Sequence, residues 1–146
     1  MEDEKLAAPC GLYCGACIAY VVSKRCHGCG CKCGKCIASE CQKECVIYEC
    51  CVKRKGLKAC YECEEFPCSM LIQFSRDPVW LTHLTVLENL LRRKNVGTEK
   101  WLKEQRRIWT NDKYFRKWLW FQKECVNRAK QFEKEKTTMT SEKKQQ

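Results

Sequence analysis

The chain lacks what a membrane or secreted protein needs. No run of about 18 apolar residues is present, so no membrane span is expected. The start MEDEKLAAP carries no apolar stretch, so no secretory leader is expected either, and the expectation is a cytoplasmic protein whose thiols stay reduced. Neither a Walker-type phosphate loop nor a G-x-S-x-G elbow occurs, which removes two common routes to catalysis. Histidine is scarce, with two residues in 146. His27 reads as an exposed loop residue, and His83 as a surface or half-buried one, because a site needs several convergent groups. Large aliphatic side chains are few in residues 1–68. That half cannot bury much apolar surface, and small units of this kind need staples, either disulfides or metals.

What the chain has instead is cysteine. Fifteen of its 16 cysteines lie between Cys10 and Cys68, and Cys125 stands apart. Cys14/Cys17, Cys26/Cys29, Cys33/Cys36 and Cys60/Cys63 are each two residues apart. A two-residue gap in a tight turn lets both sulfurs face one ion, which makes each pair a metal knuckle. In a reducing compartment that spacing points to metal over disulfides. Gly11 and Gly15 permit the positive φ that knuckle turns use. The eight residues between Cys17 and Cys26 suffice to close Cys14, Cys17, Cys26 and Cys29 around one ion. Cys31, Cys33, Cys36 and Cys41 form a dense insertion, read either as a further site or as free thiols. Ile18–Val22 is expected to form one or two helical turns. Cys45 to Gly56 reads as a short helix stopped by the glycine.

The net charge of +10 is uneven: residues 1–68 carry ten Lys and Arg against nine Asp and Glu, the remainder 18 against nine. Metal-bound thiolates would make the first half negative. A basic second half can attract nucleic acid, anionic membrane or an acidic protein, or simply solvate helix faces. That half also holds all five tryptophans. Asp77-Pro78 predicts a helix start, with Trp80, Leu84, Leu87 and Leu91 on its buried face and an end near Asn95–Gly97. Thr98 is expected to cap a second helix with Trp101, Leu102, Gln105, Ile108 and Trp109 on one side, and Lys100–Arg107 reads as solvated. A third helix carries Phe115, Trp118, Leu119, Val126 and Ala129. Trp120 falls off that stripe, about 200° from Trp118; the expectation is that the cysteine lobe covers it, the alternative that it is exposed and meets a partner. Residues 133–146 are polar and stripe-less, hence expected to be disordered.

The ladder Cys10, Cys14, Cys17, Cys26, Cys29, Cys45, Cys50, Cys60, Cys63 and Cys68, with Lys55-Gly56 and Phe66-Pro67, resembles the domain-of-unknown-function 3795 family, small cysteine-rich proteins of archaea and anaerobic bacteria. His83-Leu84, Asn89-Leu90, Gly97, Trp101-Leu102, Gln105 and Trp109 are similar to its longer members. The resemblance covers about residues 8–110. Where longer members carry one more CxxC knuckle, Thr110-Asn111 stands here. The resemblance implies zinc binding by the ten ladder cysteines and no established activity. Within it, Cys14, Cys17, Cys26 and Cys29 form one expected site. Cys50, Cys60, Cys63 and Cys68 form the other, with Cys10 and Cys45 as spare or alternative ligands.

Four thiolates most often hold tetrahedral zinc in a closed, structural site. A [4Fe–4S] cluster is the alternative, although the ferredoxin run CxxCxxCxxxCP is missing. Cys10-x3-Cys14-x2-Cys17 has the spacing of a radical S-adenosylmethionine cluster, but the helical remainder offers no partial α/β barrel. The expected architecture is mainly α, with an irregular metal-knuckle lobe (10–68) packed on about three helices (69–132), between a flexible leader (1–9) and a tail (133–146). The expected function is a zinc-binding interaction or regulatory module and not an enzyme. An iron–sulfur redox protein and a nucleic-acid binder are the alternatives.

Overall fold

The computed structural model describes residues 4–22 and 45–145. The architecture is mainly α, as expected. Among the described residues the sole β pairing is an isolated antiparallel bridge between Ala7 and Tyr13. That bridge folds residues 7–13 into a tight loop, closed by Ala8 N–H to the Leu12 carbonyl (3.1 Å) and Gly11 N–H to the Ala8 carbonyl (3.0 Å). A 3-10 turn at Cys14–Ala16 leads into α1 (Ile18–Val21). Helix α2 (Val46–Tyr48) continues directly into a π-helical stretch, Glu49–Arg54. Gly56 stops it at φ +65°, a conformation that glycine adopts without penalty. A 3-10 turn at Cys60–Glu62, a cis Phe66–Pro67 bond and α3 (Ser69–Ser75) follow.

Asp77 does cap the next segment: its Oδ1 accepts from the Val79 and Trp80 N–H groups, both at 2.8 Å. The expected long helix nevertheless begins later. A 3-10 turn at Leu81–Thr85 precedes α4 (Val86–Val96). Its buried face also differs from the expected one. Val86, Leu90 and Arg93 are buried, whereas Leu84 is 64% and Leu91 52% exposed. The cause is the partner that α4 meets. Gly11 packs against it so closely that a Cβ there would lie 2.6 Å from the Val86 carbonyl oxygen and 2.9 Å from Leu90 Cγ. Asn89 Nδ2 then reaches the Gly11 carbonyl at 2.9 Å. The helix is rotated to present Val86, Asn89, Leu90 and Arg93 to this loop, and the leucines at 84 and 91 turn to solvent.

Gly97 (φ +88°) ends α4, as expected, and α5 (Thr98–Trp109) starts at once. Thr98 does not act as the cap; its hydroxyl accepts instead from Arg93 Nε and contacts the Tyr61 hydroxyl. Trp101 and Leu102 are buried, Gln105 and Trp109 are half-buried, and Ile108 is exposed. Lys100, Lys103, Arg106 and Arg107 face solvent. Helix α6 (Asp112–Gln145) is 34 residues long, about 50 Å at 1.5 Å per residue. It runs on through the stretch expected to be disordered. Residues 131–137 are exposed; rich in Glu, Lys and Gln, they hold a helix by propensity without an apolar stripe.

The core crosses the boundary between the cysteine-rich and helical halves. Ala8, Cys10, Cys14, Ile47 and Ala59 pack with Leu71, Val86 and Leu90. A second cluster joins Ala7 to Trp101 and Leu102, with Tyr13 set edge-on to Trp101 at 6.0 Å. Helix α6 is fastened by Gln122, whose Oε1 accepts from Ile18 N–H (2.8 Å) while Nε2 donates to the Ala16 carbonyl (2.7 Å). Phe115, Trp118, Leu119, Val126 and Ala129 are half-buried along the expected face, on which Gln122 and Cys125 are the buried members. Trp120 points away from that face and is 62% exposed. The expectation that the cysteine lobe covers it is therefore corrected: a residue two positions from Gln122 lies about 200° around the helix.

Two predictions follow from this packing. Gly11→Ala meets both a positive φ (+105°) and a backbone oxygen that cannot yield, so it costs more than about 2 kcal/mol, read as a shift of the urea midpoint. Gln122→Leu leaves the Ile18 N–H and Ala16 carbonyl unpaired and costs about 1–3 kcal/mol, whereas Trp120→Ala leaves the same midpoint within about 0.5 kcal/mol of the parent.

Candidate functional site

The close approach at Gly11 inserts its cysteine neighbours into the core. Cys10 and Cys14 are buried there, and Cys45, Cys60 and Cys68 pack on the cluster from two later segments. The backbone fixes part of this meeting: Cys60 N–H donates to the Pro9 carbonyl at 3.0 Å, which sets the last CxxC turn beside the first cysteine. Each described CxxC turn is closed by its own backbone, Cys17 N–H to the Cys14 carbonyl (3.0 Å) and Cys63 N–H to the Cys60 carbonyl (3.2 Å). No disulfide joins any two of the ten described cysteines.

Their electrostatics differ according to place. Burial pushes the Cys10 thiol well above its ordinary value, and the neighbouring Cys45, Cys14 and Cys60 sulfurs add to the rise; the Leu12 N–H donating to Cys10 works the other way. Cys60 is also raised, first by a hydrogen bond shared with the Cys51 thiol and then by burial, against a lowering influence from Arg93. Cys51 itself donates weakly to the Leu57 carbonyl. Cys63 is the opposite case. Lys55 Nζ donates to its Sγ at 2.9 Å, and this bond, with help from the Glu65 backbone, holds the thiol below its ordinary value. Lys55 also lies 3.5 Å from Glu65.

Arg93 is 2% exposed and adjoins the thiols. Nη1 donates to the Ala8 carbonyl at 2.6 Å and Nε to Thr98 Oγ1 at 3.3 Å. The guanidinium lies over the rings of Trp101 (5.1 Å) and Tyr61 (5.6 Å). Sequence reasoning missed this residue. The available signal was its position three residues after Leu90 and seven after Val86, which puts a cation on the buried stripe.

Of the ten ladder cysteines, the structure brings Cys10, Cys14, Cys45 and Cys60 into one neighbourhood. Cys68 packs at the edge of the same core, and Cys63 faces Lys55. Cys17 and Cys50 are half-buried. Cys26 and Cys29, with Cys31, Cys33, Cys36, Cys41 and His27, lie outside the described residues. His83 is half-buried and stacked flat on Phe74 at 4.0 Å. Cys125 is buried on α6.

Thiol sulfurs, the donor type that thiophilic ions take, come here from three segments. As placed, no group of three or more Cys, His, Asp and Glu among the described residues is set to hold an ion.

Thiol reactivity in the metal-free protein is expected to follow the electrostatics. Iodoacetamide at neutral pH should label Cys63 well before Cys10, since the thiolate is the nucleophile. Lys55→Met, by removing the bond that lowers Cys63, should slow that labelling, as read by peptide mass spectrometry. Equal rates in parent and variant would contradict the assignment.

No family model matches this chain, and no curated protein or solved structure matches it.

Proposed function

We propose that this chain is a thiolate metal-binding module, with zinc as the ion, serving interaction or regulation and not catalysis. The observation that carries the reading is the gathering of Cys10, Cys14, Cys45 and Cys60 in and against one hydrophobic core. Single buried cysteines are ordinary small hydrophobes. Here Cys10, Cys14, Cys45 and Cys60 come from three separated segments, and an ion bound by them would join those segments. The resemblance of the cysteine ladder to the domain-of-unknown-function 3795 family supports the same chemistry. We assign Cys10, Cys14, Cys45 and Cys60 as the primary ligand set. Cys17, Cys26, Cys29, Cys50, Cys63 and Cys68 remain for a second ion. When bound, zinc would supply a closed, redox-inert crosslink between the three segments.

An iron–sulfur cluster draws on the same thiols and is the second reading, favoured by a donor set without histidine among the described thiol neighbours. The interaction role is supported by α6, where Trp120 and Tyr114 are exposed beside Lys113, Lys117 and Lys123; an acidic protein surface suits that chemistry, and a nucleic acid is the alternative partner. Among the described residues no helix is long and apolar enough to cross a membrane, and we place the protein in the cytoplasm.

Metal analysis of protein purified without oxygen tests the proposal. The expected result is colourless protein with zinc in stoichiometric amount; a brown protein with iron and sulfide establishes the second reading, and metal-free folded protein overturns both. Cys60→Ser is expected to lose about one equivalent of metal, because a four-coordinate thiolate site tolerates loss of a ligand poorly, while Cys125→Ser keeps the full content.

A further inference from the structure

The metal reading gives no use to the π-helical stretch Glu49–Arg54. Such turns are rare and recur at functional sites. What this one does is aim Lys55. The Lys55 N–H donates to the Cys50 carbonyl, five residues back, at 3.2 Å, and Gly56 turns the chain away at φ +65°. The Lys55 side chain then crosses to the last CxxC turn, where Nζ donates to Cys63 Sγ at 2.9 Å and lies 3.5 Å from Glu65 Oε2. The two thiols of that turn are unlike. Cys60 packs against the hydrophobic core, whereas Cys63 meets Lys55 among the exposed residues Glu62, Glu64 and Glu65. A knuckle around one ion needs both sulfurs turned to the same point. An ammonium on one sulfur and a core around the other is a different arrangement, and it suits a dithiol that works in two steps. Cys63 N–H bonds the Cys60 carbonyl at 3.2 Å. The pair thus spans one 3-10 turn, in which side chains three residues apart eclipse and the rise between them is about 6 Å. A disulfide spans that separation.

We propose that Cys60 and Cys63, with Lys55, form a thiol–disulfide exchange site whose co-reactant is a small-molecule disulfide. The outer thiolate, Cys63, attacks one sulfur of the co-reactant. An S–S bond forms between Cys63 and that sulfur, the S–S bond of the co-reactant breaks, and its other half leaves as a thiolate. Cys60 gives its proton to that leaving thiolate, attacks Cys63 Sγ and closes the Cys60–Cys63 disulfide. The second half of the co-reactant departs as a thiolate. Two protein thiols are oxidised and one disulfide is reduced to two thiols, so the electrons balance with no further oxidant. Lys55 is a positioning residue: its ammonium, fixed between Cys63 and Glu65, keeps the attacking sulfur outside the core and charged. The inference is separate from the metal reading, because an ion held by Cys60 or Cys63 would block the exchange.

The test uses the full chain, reduced, freed of metal with a chelator and kept without oxygen. It is mixed with one equivalent of hydroxyethyl disulfide, a neutral probe, and quenched with acid at intervals. Peptide mass spectrometry then locates the disulfides. The expected first product in the parent is the Cys60–Cys63 disulfide. Cys60→Ala removes the resolving thiol and keeps an apolar group against the core, so the mixed disulfide with the probe should accumulate on Cys63. In that background Lys55→Met should slow the reaction of Cys63 by about threefold or more, and Lys55→Arg, which keeps a cation at the sulfur, should stay within about twofold. Lys55 is exposed, so neither change threatens the fold. In urea the lead of Cys63 over the other thiols should vanish. A first disulfide that joins Cys60 to Cys51, or mixed disulfides that reach other cysteines before Cys63, overturns the proposal. Equal rates in Lys55→Met and Lys55→Arg, or a Cys63 lead that survives in urea, overturns the part given to Lys55 and the fold. Each outcome is read on metal-stripped protein, so none of them decides whether the purified chain carries zinc.

Discussion

The contact between the Gly11 peptide and the first turn of α4 is the constraint on which the described structure depends. It is a contact of backbone on backbone, and it exists because residue 11 has no side chain. Once the two segments lie that close, α4 must offer Val86 and Leu90 to the loop, Asn89 falls within reach of the Gly11 carbonyl, and Arg93 reaches the Ala8 carbonyl. The cysteines on either side of the loop, Cys10 and Cys14, have no route to water and become core residues. Cys45 and Cys60 join them, because Cys60 is hydrogen-bonded to Pro9 and Cys45 packs on the same cluster.

A core built in part from thiols has two energetic states. With protons on sulfur it is a small hydrophobic core with one buried guanidinium, and the raised Cys10 thiol is its consequence. Under the proposed function a bound metal would turn sulfurs of this core into anionic ligands. Its linkage to the fold would then reach beyond the cysteine-rich half. Leu71, Val86 and Leu90 belong to the same cluster as Cys10 and Cys14, so whatever stabilises the sulfurs also stabilises the helices. Metal binding coupled to folding is usual for small thiolate sites; were a metal bound here, the coupled unit would include α3 and α4. The exposed end of the site, where Lys55 meets Cys63, follows a different rule, since solvent and a lysine already favour its thiolate.

The sequence made the helical half legible in outline and the thiol-bearing half legible in composition. Glycine and aspartate punctuation placed the end of α4 and the capped turn at Asp77, because those residues act through their own backbone or a neighbour two positions away. The face of α4 was not legible. Hydropathy favours Leu84 and Leu91 over Asn89 and Arg93, and it has no term for a polar side chain satisfied by a carbonyl 85 positions away. Gln122 escaped for the same reason, as an amide whose partners at Ala16 and Ile18 lie more than a hundred residues earlier. Cysteine spacing identified local pairs such as Cys14/Cys17 and Cys60/Cys63. It could not show that Cys10 and Cys45 share a neighbourhood with members of both, since that grouping is set by the Pro9–Cys60 bond and the Gly11 contact, neither of which leaves a periodic trace. Trp120 was misplaced because the lobe expected to cover it is reached by the amide two positions on.

The Gln122 clasp has a consequence for how the protein is made. The 3-10 turn that carries Cys14 is held by a side chain that leaves the ribosome 106 residues after Ala16. At bacterial or eukaryotic elongation rates, that is an interval of about 5–20 s. For most of it α4 and α5 are still to be made, and for all of it Gln122 is absent. The nascent chain is thus a flexible, multidentate thiol before it is a folded protein, open to oxidants and to whichever metal the cell leaves most available. The order of synthesis, and not only the finished geometry, then has a say in which ion these cysteines first meet.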